Sequence, residues 1–280
     1  FFFKQKTAYE ISTRDWSSDV CSSDLRHAPL RHGCGGRRGG RSPVEEGQRF
    51  PLSMADAPHR WRNRCHAGGL LAERLVTALP PEVLAGGLVI GVPRGGIVVA
   101  AAVAHRLGLP LGSWCARKLA AEVSPEYAIG AIAPGGVQLI HGDEARRLGM
   151  EGAALERAIA RETAELERRR SRYGDPPADA LRRRHLLVVD DGLATGLTIE
   201  AILRSLMQLS PASLRLAVPV ADGTTIDRLR PLVDDLLVLR RVRWLRSVGE
   251  WYDDFRPVDD ATVIDLLARG RGATVPQAEA

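Results

Sequence analysis

Two spacings of apolar positions alternate along the chain. Short unbroken runs, Leu88 to Val92, Leu186 to Val189, Ser213 to Val220 and Leu236 to Leu239, show no period-two polarity. Such runs predict strands buried on both faces, the pattern of a parallel sheet covered by helices. Between them lie stretches with helical spacing. Leu71, Leu75 and Leu79 mark one helix over Leu70 to Leu79, stopped by Pro80-Pro81. Ile97 to Leu107 predicts a second, ended by Gly108, and Thr195 to Leu209 and Thr224 to Leu232 predict two more. Glu144 to Tyr173 is charged, with Leu155, Ile159 and Leu166 as a sparse buried stripe and Glu165 to Arg169 as a supporting i,i+4 pair. Leu111 to Leu119 predicts a second strand, and Ala128 to Ile140 a hairpin turning at Pro134-Gly135-Gly136. Strand and helix alternate, so the predicted fold class is α/β, a parallel sheet with helices on both faces and a small hairpin.

The chain ahead of this pattern reads differently. Residues 1–25 resemble the conceptual translation of an indexing adapter used in short-read sequencing libraries, through KQKTAYEI and RDWSSDVCSSDL. Residues 26–53 are rich in Arg, Gly and Pro and read as a disordered or untranslated leader. Met54 is the expected start of a single domain spanning 54–280.

Charge changes the picture once this segment is set apart. The chain carries +5 overall. Nine basic and six acidic side chains precede Met54, leaving 30 basic and 28 acidic after it. A net +2 gives no reason to expect nucleic acid as a partner. The apolar runs fall short of the roughly 18–20 residues of a membrane span, so no membrane partner is expected. Cys65 and Cys115 lack CxxC spacing and no HExxH or paired-His pattern occurs, which suits a reducing, cytoplasmic location and no zinc site. After Met54 there is one lysine, Lys118, among many arginines. A compact ammonium at one point of a site is one reading, and chance in an arginine-biased composition is the other.

Ligands of open parallel sheets sit at the carboxyl ends of strands. Arg94, Lys118, Asp190 and Asp191 are predicted to lie there. The loop Ala194, Thr195, Gly196, Leu197, Thr198 precedes a helix, so its amides and the helix N-terminus form a phosphate site. Two carboxylates pointing at that phosphate would repel it. Asp190 and Asp191 are therefore expected to serve hydroxyls or a metal, pointing to solvent and not needed for packing. A sugar phosphate offers both chemistries.

Strand, acids and Thr-Gly-Leu-Thr loop in LLVVDDGLATGLT resemble the phosphoribosyl pyrophosphate motif of type I phosphoribosyltransferases. GVPRGG, Gly91 to Gly96, resembles that family's pyrophosphate loop, and Ala116 to Leu119 its Arg-Lys pair. The resemblance runs from about Arg60 to Arg269 and is closest to bacterial stand-alone members with RKL, PEYAIGA and WYDDF segments. It implies the type I fold with a small hood, and Mg2+-dependent transfer of phosphoribose from phosphoribosyl pyrophosphate to a small nitrogenous acceptor. It also allows a homodimer. Arg94, Gly95, Gly96, Arg117 and Lys118 would then bind pyrophosphate. Residues 194–198 would bind the 5-phosphate, and Asp190 and Asp191 the ribose hydroxyls and the metal. Asp190, Asp191, Lys118 and Glu126 are the catalytic candidates. Glu122 and Glu126 fall where family members carry a mobile loop. In 6-oxopurine enzymes an Asp precedes the Thr-Gly; here it is Ala194, which disfavours guanine and hypoxanthine. Trp251, Tyr252 and Phe255 either stack on a base or pack the C-terminal segment, and packing is the favoured reading. Two rival functions remain: a phosphoribosyl-pyrophosphate-sensing regulator and a sugar-phosphate hydrolase at the same site.

Overall fold

A computed structural model describes residues 60–121 and 124–271. Five strands form the main sheet in the order β2-β1-β6-β7-β8: β1 Leu88–Gly91, β2 Leu111–Ser113, β6 His185–Val189, β7 Ser213–Asp222 and β8 Asp235–Val242. Every neighbouring pair is parallel. Three shorter strands, β3 Arg117–Ala121, β4 Ser124–Ala133 and β5 Val137–Ile140, make a separate antiparallel sheet.

The unbroken apolar runs are explained by helices on both faces. Successive strand residues enter different cores. Val89, Leu187 and Val189 join Leu71, Leu75, Ile97 and Val103, from α1 Arg64–Ala78 and α3 Gly95–Leu107. Leu88, Ile90, Leu186 and Val188 join Ile199, Ile202 and Leu206 of α7 Leu197–Met207 on the other face. A polar residue at either alternate position would be buried without a partner, so neither is polar.

Most predicted elements are present, and their boundaries shift for identifiable reasons. Helix α1 begins at Arg64, six residues before the apolar spacing announces it, because the Asn63 side chain caps it by accepting from the His66 N–H at 2.9 Å. Helix α3 ends at Gly108, in the left-handed region at φ 67°. The short helix α2 Pro81–Gly86 follows Pro80. The single helix expected over Glu144 to Tyr173 is two, α4 Gly142–Arg147 and α5 Gly152–Tyr173, interrupted at Gly149 and Gly152, both with positive φ. After α5 come α6 Ala178–Leu181, α7, α8 Gly223–Leu229 and α9 Asp260–Arg271.

The strand predicted over Leu111 to Leu119 is the main correction. It ends in the main sheet at Ser113, and the chain crosses to the antiparallel sheet at Arg117. Buried Asp175 diverts it, accepting from Ser113 Oγ at 2.7 Å and from the Cys115 N–H at 3.1 Å. Trp114 then donates its indole N–H to Ser205 Oγ at 3.0 Å. Arg117 and Lys118 thus open an antiparallel strand rather than close a parallel one. The hairpin turns at Pro134–Gly136 as predicted, with Gly135 and Gly136 at φ 78° and 76°. It leans on α7 through Ala131, Ala133 and Val137 against Leu197 and Ala201.

Candidate active site

In the order β2-β1-β6-β7-β8 the chain leaves β1 toward one edge and leaves β6 toward the other. The loops following these two central strands therefore part, and a crevice opens between them. The register pairs Gly91 with Val189, so the residues following each strand face one another across it. On one side are Pro93, Arg94, Gly95 and Gly96, with a cis peptide between Pro93 and Arg94. On the other are Asp190 and Asp191.

The two loops approach within contact distance. A Cβ on Gly96 would stand 2.5 Å from Asp190 Oδ1, and one on Gly95 would collide with Asp191 Oδ2. Any side chain at either position would push the loops apart, which is the physical reason for the Gly-Gly pair. Helix α3 starts at Gly95 without a side-chain cap. Its first amides are open to an anion.

The acids are not free at the surface as expected. Asp190 Oδ1 accepts the Asp191 N–H at 2.8 Å. Asp191 Oδ2 accepts Arg64 Nε at 2.7 Å, with side chains 15% and 10% exposed. The Asp191 carbonyl accepts the Tyr252 hydroxyl at 2.7 Å. Burial, then the charge of Asp191, pushes the Asp190 carboxyl well above its ordinary range. Burial also raises Asp191, against the opposing pull of Arg64. This is strain that a cation or a donor-rich ligand would relieve. Oδ2 of Asp190 and Oδ1 of Asp191 have no hydrogen-bond partner among the described residues. No group of three or more acidic, His or Cys side chains capable of holding a metal is found among those residues. Two free carboxylate oxygens suit magnesium, which retains water and takes substrate oxygens rather than an all-protein cage.

The loop beyond the acids is pinned to its neighbours. The Leu193 N–H donates to Val220 O at 2.9 Å, and the Asp222 N–H returns to Leu193 O at 3.0 Å. Thr225 Oγ1 donates to Ala194 O at 2.6 Å, and Arg228 donates to Thr195 O while pairing with Glu200. Gly196 has φ 67°, and α7 starts after it with no side-chain cap. The amides of Leu197 and Thr198 are thus free to meet a phosphate. The Leu197 side chain is buried and Thr195 is exposed.

The remaining candidates are more dispersed. Arg94 is half-exposed, with Nη1 3.8 Å from Asp260, which also pairs with Arg172 and accepts from the Tyr173 hydroxyl. The Arg117 guanidinium is held by Glu162 of α5 at 2.7 Å. Lys118 is exposed and has no ion-pair partner among the described residues. Glu126 lies on β4, with its side chain outside the described residues, and Glu122 lies outside them altogether.

Three features escaped the sequence reading. Arg64 heads the buried stripe Arg64, Ala67, Gly68, Leu71 of α1, and an arginine at the head of an apolar stripe was the available signal. The aromatic group packs, as favoured, but it also supports the site. Trp61 meets Tyr252 at 5.4 Å and Tyr252 meets Phe255 at 5.1 Å, while the Tyr252 hydroxyl holds Asp191. Trp244, by contrast, is 85% exposed and lines a shallow cavity of about 290 Å³ with Asp222, Leu245 and Arg246.

Residues 87–240 match the phosphoribosyl transferase domain family. A Mycobacterium tuberculosis protein named "putative phosphoribosyl transferase" is 32% identical over 208 residues, 74% of this chain and 46% of that protein. The chain therefore spans about half the length of this curated relative. The crystal structure of TT1426 from Thermus thermophilus is 36% identical with a TM-score of 0.61, covering 76% of this chain and all of that one. Among the described residues no helix is long and apolar enough to cross a membrane. On these matches, and on a parallel sheet flanked by helices, the chain belongs to the phosphoribosyl transferase domain family and has the type I fold.

Proposed function

We propose that the chain transfers phosphoribose from phosphoribosyl pyrophosphate to a nitrogenous acceptor other than guanine or hypoxanthine. The observation that carries this reading is the meeting of Gly95 and Gly96 with Asp190 and Asp191 across the β1–β6 crevice. Uncapped α3 and α7 provide an anion site on either side. One crevice thus offers two phosphate sites and, between them, two carboxylate oxygens that can accept hydroxyl protons.

In this reading the Leu197 and Thr198 amides and the Thr195 and Thr198 hydroxyls hold the 5-phosphate. Asp190 and Asp191 accept from the ribose 2- and 3-hydroxyls, orienting the anomeric carbon. As the bond to pyrophosphate breaks, negative charge grows on the leaving oxygens. The Gly95 and Gly96 amides, Arg94 and the exposed Lys118 stabilise it there. Asp190 and Asp191 would also hold magnesium, directly or through its waters, and the ion would neutralise further charge on the leaving group. The exposed ring of Trp244 can stack on a planar heterocyclic acceptor. Ala194 leaves no carboxylate in the loop to take a proton from an oxopurine.

A screen of nucleobases with phosphoribosyl pyrophosphate and magnesium tests this, reading pyrophosphate release with and without each base. Base-dependent release is the expected result. Release without a base would make the protein a hydrolase, and binding without release would make it a regulator.

A further inference from the structure

We infer that Arg64 is a diphosphate-binding residue of this site, supplied by the first helix. The inference rests on the phosphoribosyltransferase reading and extends it to a residue outside the motif loops. Three contacts fix the guanidinium: Nε to Asp191 Oδ2 at 2.7 Å, Nη1 to the Arg256 carbonyl at 3.0 Å, and the face of Phe255, whose ring centre lies 3.7 Å from Cζ. The side chain is nine-tenths buried. Asp191 and the Arg256 carbonyl together occupy two of its three nitrogens.

The third nitrogen has no protein partner among the described residues. Nη2 lies 3.0 Å from where a Cβ on Gly95 would stand, so it faces the turn after β1. It is not among the buried nitrogens sealed without a hydrogen bond, so it keeps some solvent exposure beside that turn. Two N–H groups of a fixed cation thus point beside the uncapped start of α3 at Gly95 and Gly96. A planar fork with outward donors, beside free helix amides, matches the non-bridging oxygens of a diphosphate. An arginine serving only to neutralise Asp191 would need neither the stacking nor the open nitrogen. Because its orientation is already set, little rotamer freedom is lost when the anion binds.

Lysine at this position can still pair with Asp191 but cannot also reach toward Gly95. The test is calorimetric binding of inorganic diphosphate and, separately, ribose 5-phosphate, each with magnesium, to wild type and Arg64→Lys. The expected result is a loss of about tenfold or more for diphosphate, with ribose 5-phosphate weakened less than about threefold. Unchanged diphosphate binding, or equal losses for both probes, overturns the inference while leaving the phosphoribosyltransferase reading intact. If wild type binds neither probe, that reading fails first and the inference falls with it. Should Arg64→Lys fail to fold, Phe255→Leu releases the guanidinium without leaving Asp191 unpaired. Selective weakening of diphosphate is expected there too, and undiminished affinity overturns the inference.

Discussion

Gly96 stands directly over Asp190: a Cβ on the glycine would lie 2.5 Å from Oδ1 and 3.0 Å from Cα of the aspartate. Gly96 lies in the first turn of α3, just after β1, and Asp190 in the loop after β6, so the pair sets the width of the crevice. Gly96→Ala should force the two loops apart. Overpacking of this kind costs ~1–3 kcal/mol, and ligand affinity should fall with it. Thermal unfolding and calorimetry with phosphoribosyl pyrophosphate check this; an alanine variant with normal stability and affinity would mean the loops are not closely apposed.

The adjacent acids should respond in opposite ways to amide substitution. Asp190 is pushed toward the neutral form by burial and by Asp191, so Asp190→Asn should leave the melting temperature unchanged or raised. Asp191 is the counter-charge of buried Arg64, and breaking such a pair costs ~3–5 kcal/mol, so Asp191→Asn should melt markedly lower. Ligand affinity should fall in both, since a charged hydrogen bond contributes about 1.5–3 kcal/mol, or roughly one to two decades. Parallel melting curves for the two variants would contradict the assignment of Arg64 to Asp191 alone.

Lys118→Arg should slow turnover about tenfold to a hundredfold despite the retained charge, because a small displacement in such a site is that costly. In the proposed reading the exposed lysine, with no ion-pair partner among the described residues, is the one that brings a point charge to the pyrophosphate, whereas its neighbour Arg117 is already committed to Glu162. A guanidinium is wider and planar and cannot reach the same oxygens by the same path. Steady-state kinetics with the acceptor identified by the base screen decide it; wild-type rates in the variant would assign the lone lysine to composition.

Burial, then the hydrogen bond to Asp260, pushes the Tyr173 phenol up to about 12. The folded state therefore holds this proton after the unfolded chain, with its ordinary value near 10, has lost it. Stability should fall as pH rises from about 10 to about 12, as linkage requires for an acid raised on folding. Tyr173→Phe should cost about 0.5–1.5 kcal/mol at neutral pH and show a shallower alkaline decline. Denaturant unfolding of both proteins across that range measures the difference; identical alkaline slopes would refute the buried phenol.

The fold was legible wherever an apolar run was read against both faces of the sheet. Leu186 to Val189 could only be a strand covered twice, and it is. The second strand was misread because Trp114 to Ala116 resume its apolar pattern after Ser113. What turns the chain there is Asp175, 62 positions beyond Ser113, and no local pattern reports such a contact. The same limit applied to the site. Gly95, Gly96, Asp190 and Asp191 carry their pattern in local order, so the sequence could nominate them, and the structure brings them together. Arg64 acts through a fold-level contact and lies six residues ahead of the predicted helix, so it was not singled out.

The Arg64 contact joins residues 127 positions apart, and the Tyr252 contact joins residues 61 apart. Both converge on Asp191, one from the head of α1 and one from the segment ahead of α9. The pairing of β1 and β6 brings the motif loops together, whereas the clamp around them also needs the segments carrying Arg64 and Tyr252 in place. A chain still emerging, or shortened before Tyr252, would therefore carry the whole recognisable motif and lack the assembled site.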